Sequence, residues 1–132
     1  MKSSNRAVVD RMFTAFNAKD LPAALTTVSD DTLWIHHGSQ KMPSVRFEGK
    51  SGAEQFFGTS FTAMKIDYFR PLTFIEQGDK IVVIGEESYE MDGIDGPLSN
   101  KWVQVYTITG GLISKMEEFA TSADPTSYMI VK

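Results

Sequence analysis

A histidine, an amide and a carboxylate stand where a sheet could bring them together: His36, Gln104 and Glu118. An imidazole, with an ordinary pKa near ~6.5, can take a proton at neutral pH. An amide N–H can stabilise charge developing on an oxygen. A carboxylate beside the ring orients it and stabilises the imidazolium. Such a set suits removal of a proton next to a carbonyl, with His36 as base, Gln104 on the oxyanion and Glu118 supporting His36. His37 must point the other way along the same strand and reads as surface.

Two neighbouring stretches near the C-terminus must position these groups. Alternate side chains of a strand share a face, so Trp102, Gln104 and Tyr106 lie together on one strand and Met116 and Glu118 on the next. Gly110 and Gly111 join the two. A three-residue loop with Gly111 left-handed pairs residue 108 with 112 and Trp102 with Glu118. A two-residue loop slips the register and turns Glu117 inward instead. Either way one sheet face holds a carboxylate and an amide among large aromatic rings, as a site for an apolar molecule with a polar handle would.

The chain of 132 residues has the length of a single domain, spanning 1–132. It is 42% hydrophobic and carries a net charge of -4, which permits a sizeable core and argues against nucleic acid or an anionic membrane as partner. It has no cysteine, hence no disulfide, thiolate nucleophile or cysteine-type zinc site. No segment approaches the ~20 apolar residues that cross a bilayer, and the N-terminus lacks the apolar run of a signal peptide. The expected location is cytoplasmic. The spacing of the carboxylates and histidine follows no metal motif, and the chemistry above requires no cofactor.

Val8, Val9, Met12, Phe13 and Phe16 recur at helical spacing and predict a helix over 4–18. Asp20 caps a short second helix, with Pro22 in its first turn and Val28 facing inward, ended by Asp30 and Asp31. A short strand begins at Thr32, and residues 38–45 form a polar loop. Ser51 and Glu54 have the spacing of a capping box, opening a third helix with Phe56, Phe57, Phe61 and Met64. Residues 66–76, 80–91, 99–109 and 112–121 read as strands of an antiparallel meander. Helices first and strands afterwards predict an α+β fold. Three N-terminal helices would cover the concave side of a strongly curved antiparallel sheet, a cone enclosing a pocket. The apolar tail from Tyr128 to Val131 is expected to pack.

This order of parts resembles the nuclear-transport-factor-2-like superfamily, and within it the SnoaL-like, ketosteroid-isomerase-like proteins. The pieces that carry the likeness are Met12-Phe-Thr-Ala-Phe-Asn-Ala-Lys-Asp20, Ser29-Asp-Asp-Thr-Leu-Trp34, Phe47-Glu-Gly-Lys-Ser-Gly-Ala-Glu54, and Val105-Tyr-Thr-Ile-Thr-Gly-Gly-Leu-Ile113 with Glu117-Glu-Phe119. They are specific for fold and poor guides to reaction. Against ketosteroid isomerases, His36 falls on the aspartate base, Gln104 on the protonated aspartic acid of the oxyanion hole, and Met12 on its tyrosine partner. Against limonene epoxide hydrolases, Trp34 and His36 fall on residues that hold the attacking water. Glu86, Ser88 and Glu118 fall on the Arg-Asp-Asp triad. Glu86 reverses the charge of that arginine and Ser88 cannot act as the acid, which argues against epoxide hydrolysis. The second match favours Glu118 over Glu117 as the inward carboxylate.

The resemblance implies a hollow cone. Met12, Phe13, Phe16, Trp34, Met64, Ile66, Glu86, Ser88, Trp102 and Tyr106 are then its ligand-binding residues. The implied activity is that of an isomerase, dehydratase or cyclase acting on a small carbonyl- or hydroxyl-bearing molecule. The alternative is a non-catalytic binding or assembly module, favoured by the missing hydroxyl at Met12. On the open sheet face, Val103, Val105, Ile113 and Phe119, interleaved with Lys101, Lys115, Glu87 and Glu117, predict a homodimer.

Overall fold

The computed structural model describes residues 3–132. Helix α1 (Ser4–Asn17) starts where the Ser3 hydroxyl accepts the Arg6 N–H at 3.0 Å, and α2 (Leu21–Leu25) where the Asp20 carboxylate accepts that of Ala23 at 3.1 Å. Strand β1 (Val28–His36) and β2 (Val45–Glu48) precede α3 (Gly49–Thr62). Four long strands follow: β3 (Met64–Gln77), β4 (Lys80–Met91), β5 (Leu98–Thr109) and β6 (Leu112–Thr121). They form one sheet in the order β2-β1-β6-β5-β4-β3, with β2 and β3 as free edges, so the sheet does not close into a barrel.

The fold is the expected α+β arrangement, but the sheet is mixed. β1 runs parallel to β6, whereas every other pair is antiparallel. A parallel neighbour needs a long crossover, and the whole meander after α3 supplies it. Register shifts in the β3–β4 and β5–β6 pairs bend the sheet. α1 and α3 lie over the resulting hollow. Met12, Phe13 and Phe16 of α1 and Phe57 of α3 are buried against Trp34, Tyr106 and Met116 of the sheet. The Phe13 ring packs on those of Phe69, Phe74 and Tyr106 at centroid distances of 5.8, 6.1 and 5.9 Å.

Several local expectations are corrected. α2 ends at Leu25, and Val28 already belongs to β1, where its buried side chain joins the core. The polar loop ends in β2, whose four residues pair with β1. α3 begins at Gly49, two residues before Ser51, with Glu48 at the cap position and no side-chain cap. Gly52, in its first turn, seats on the Phe47 backbone, 2.8 Å from where a Cβ would stand. The tail is exposed, Met129 to 86%. No helix among the described residues is long and apolar enough to cross a membrane.

The β5–β6 hairpin resolves the register by a route neither loop alone provides. Gly110 and Gly111 both have positive φ, 58° and 80°, and Thr109 pairs with Leu112, a two-residue turn. By itself this would turn Glu117 inward. Ile108 still pairs with Ile113, but Thr107 pairs with Lys115, so Ser114 is an extra residue in β6. That bulge reverses the parity of everything beyond it. Glu118 therefore faces inward after all, opposite Gln104 rather than Trp102. Ile113, on the near side of the bulge, is also buried, which removes it from the outer face.

Candidate functional site

Register across three adjacent strands builds the polar centre. His36 of β1 is the partner of Glu118 of β6, which is in turn the partner of Gln104 of β5. His36 Nε2 lies 2.7 Å from Glu118 Oε2, and Gln104 Nε2 donates to Glu118 Oε1 at 2.6 Å. The Tyr106 hydroxyl donates to Gln104 Oε1. Glu118 is only 5% exposed and receives a donor on each oxygen, as a buried carboxylate requires.

The His36 ring is held from both sides. The Gly38 N–H donates to Nδ1 at 2.9 Å. A nitrogen that accepts an amide hydrogen carries none itself, so the network assigns the neutral tautomer with hydrogen on Nε2, directed at Glu118. Burial lowers the His36 pKa, but the hydrogen bond and charge of Glu118, with Glu87 behind it, outweigh burial and raise it. The Gly38 amide opposes that rise, because protonating Nδ1 would break its hydrogen bond. We assign the neutral ring on this fixed backbone contact.

A cavity of about 410 Å³ opens over this centre, within the range usual for small-molecule sites. His36, Gln104, Glu118, Met12, Phe13, Phe16, Trp34, Met64 and Tyr106 line it. Trp34 is fixed by its Nε1 donating to Thr32 Oγ1 at 3.0 Å and by Phe56 and Phe57, each 5.0 Å away. Met42 and Pro43 from the β1–β2 loop and Asp92 and Ile94 after β4 also line it.

Four expected lining residues are elsewhere. Trp102 is buried in the core, stacked on Phe69 at 4.9 Å. Ile66 packs against the core from β3. Glu86 pairs with Arg70 at 3.2 Å on the opposite face of the sheet, and Ser88 turns from the cavity to meet the Ser99 hydroxyl at 3.4 Å. Glu87 and Tyr89 take the inward places on β4. The reason is register: Gly85 is opposite Trp102, so odd positions of β4 share a face with even positions of β5. Residues 81–84 are all apolar and conceal this parity. Gly85 was the available signal. A Cβ there would stand 2.4 Å from the Trp102 ring and 2.5 Å from the Arg70 carbonyl oxygen, and a glycine within a strand often marks such a close approach.

Glu87 is 7% exposed, and its Oε2 accepts the Asn100 amide at 3.2 Å. Burial, and then the charge of Glu118, push its pKa up to about 8, so it is largely a neutral acid at pH 7. Burial and Glu87 push the Tyr89 hydroxyl up to about 12, and burial raises Tyr106 well above its ordinary value. Both phenols stay protonated. On the outer face His37 stacks on Phe119 at 4.5 Å and meets Glu117 at 3.6 Å. Among the described residues no three histidine or acidic side chains are grouped as metal ligands.

A family model for the SnoaL-like domain matches residues 9–116. No curated protein matches the chain. Solved structures share its fold. An NTF2-like protein from Burkholderia xenovorans LB400 is 19% identical over 90% of each chain, with a TM-score of 0.79. TerC, co-crystallised with polyporic acid, is 22% identical over 89% of this chain and 91% of its own, with a TM-score of 0.71. A protein of ketosteroid-isomerase-like fold from Catenulispora acidiphila DSM 44928, in complex with trimethylamine, is 12% identical over 85% and 83%, also with a TM-score of 0.71. The family match spans the elements that carry His36, Gln104 and Met116, and the chain belongs to the SnoaL-like family, with the NTF2-like fold.

Proposed function

We propose that the cavity binds a small, largely apolar molecule bearing a carbonyl or hydroxyl, and that Glu118 takes a proton from the carbon beside that carbonyl. The observation that carries this is the convergence of His36 and Gln104 on Glu118 under an aromatic roof. It supports roles that differ from those the residue types alone suggest. His36 has both nitrogens engaged. It is therefore a positioning residue, and the carboxylate is the base. Glu118 removes the proton, and the C–H electron pair becomes the enolate double bond. The oxygen charge falls on the second N–H of Gln104, the one not spent on Glu118. Glu118 then returns the proton to another carbon, so the isomerisation balances without a co-reactant.

Two of the fold neighbours carry small organic molecules, polyporic acid and trimethylamine, which supports a ligand-binding role for this cavity. The alternative reading, a binding module without turnover, is favoured by one observation. The Tyr106 hydroxyl is tied to Gln104, so beside Glu118 only the Gln104 amide is placed to meet an oxyanion. The deciding experiment follows β,γ-unsaturated and β-hydroxy ketones by NMR in D₂O. Isomerisation or deuterium exchange that drops about 10²–10⁴-fold in Glu118→Gln supports the enzyme. His36→Ala should lower kcat more than it raises KM and displace the acid limb of the pH profile. Binding of the ketones without exchange leaves only the module; wild-type rates in Glu118→Gln rule out the base.

We also propose that the outer sheet face forms a homodimer. Leu72 is 61% exposed, and Ile84 and Phe119 are exposed beside the half-buried Val103. A monomer at micromolar concentration in light scattering would refute it.

A further inference from the structure

The mechanism above leaves Glu87 unused, although a carboxyl buried in an apolar cavity is costly to keep. Beside it one buried acceptor lacks a donor. Asn100 Nδ2 donates to Glu87 and lies 3.5 Å from the Tyr89 oxygen, while Asn100 Oδ1 is buried with no hydrogen-bond partner. The charges have the same bias. Glu87, Asp92 and Glu118 line the cavity, and none of the described lining residues is a lysine or arginine. The one basic side chain there, His36, is held neutral by the Gly38 amide, which leaves the Glu118 carboxylate without a countercharge. Nine aromatic rings make up much of the rest of the wall, and their faces attract cations.

We propose that the ligand of this pocket carries a basic nitrogen, protonated when bound and seated against Glu87, and that the pocket rejects carboxylates and phosphates. An ammonium offers donors and no acceptor, which suits Glu118 and a Glu87 that has given up its proton. It supplies the missing positive charge and makes a charge-assisted hydrogen bond to Glu87 once that carboxyl ionises. The groups facing Glu87 are Glu118 from β6, His36 from β1, Asn100 from β5 and Tyr89 beside it on β4. Of these only His36 could oppose a bound cation. Because Glu87 is largely protonated at pH 7 with the pocket empty, amine binding should expel its proton. Glu118 remains free to act as base on a carbon farther along the same ligand.

This inference rests on the reading of the cavity as a small-molecule site, and the test separates the two. Three probes of one shape, 2-naphthylmethylamine, 2-naphthylmethanol and 2-naphthoic acid, are titrated calorimetrically at pH 7 in buffers of different ionisation enthalpy. The amine should bind at least about tenfold more tightly than the alcohol, a preference of the size one desolvated charge-assisted contact provides. It should release close to one proton, the alcohol none, and the acid should not bind. Glu87→Gln should bring the amine-to-alcohol ratio down toward one. Alcohol binding as tight as amine binding, comparable binding of the acid, or amine binding without proton release overturns the inference and leaves the cavity a ligand site. Failure of all three to bind overturns both.

Discussion

Replacing Glu87 by glutamine tests whether a neutral acid really lies inside this cavity. The side chain keeps its shape and can still accept from Asn100, whose amide is 3.2 Å from Oε2. What it loses is the ability to ionise. The Glu87 pKa is raised in the folded protein from 4.5 to about 8. A raised folded-state value means the native state holds the proton more tightly than the unfolded chain. The resulting stabilisation is fully present below pH 4.5 and is lost as pH rises through about 8. At about 1.4 kcal/mol per pH unit the effect is capped on the order of 5 kcal/mol. The repulsion is shared with Glu118, so a loss of a few kcal/mol between pH 5 and 8.5 is expected. Urea unfolding across that interval should show the wild type weakening steadily and Glu87→Gln weakening much less. The two should be alike at pH 5, and the variant should be the more stable at pH 8.5. Parallel curves would mean that Glu87 ionises freely, and the assignment of a buried neutral acid would fall.

Three further outcomes follow from packing and register. Gly85→Ala places a methyl 2.4 Å from the Trp102 ring and 2.5 Å from the Arg70 carbonyl. The backbone cannot yield as a side-chain tip would, so urea unfolding should show a loss of about 1–3 kcal/mol or more. Phe57→Ala empties the place of a fully buried ring between Trp34 and Phe61 and should cost about 3–5 kcal/mol in the same assay. Deleting Ser114 removes the bulge while keeping the two-residue turn. Because Ser114 is the extra residue, Thr107 should still pair with Lys115 and Gln104 with Glu118, so their cross-strand NMR contacts and any ligand binding should persist; contacts shifted by one residue would refute the bulge.

The fold was legible because its signals repeat. Val8, Val9, Met12, Phe13 and Phe16 report one helix face five times over, and the ends of β4 and β6 coincide with the ends of their patterns. The parallel β1–β6 pair was not legible, since nothing within either strand records the direction of a neighbour far away in the chain. β2 was missed for a related reason. Four residues on a sheet edge, mostly exposed, leave no alternation to read.

The site depended on two single-residue events, one silent and one visible. Ser114 is an ordinary polar residue after a short turn, and no pattern distinguishes it as a bulge. It nonetheless decides which of two adjacent glutamates enters the cavity. Its hydroxyl lies 3.2 Å from the Thr107 carbonyl and 2.9 Å from Thr109 Oγ1, which holds the irregularity at one place. On β4 the decisive residue was visible. Gly85 must face Trp102, because no other residue leaves room for that ring. Once Trp102 is placed on the inner face, Glu87 and Tyr89 follow inward and Glu86 and Ser88 outward. The Glu87 carboxyl thus owes its inward place to a register that a glycine two residues away marks.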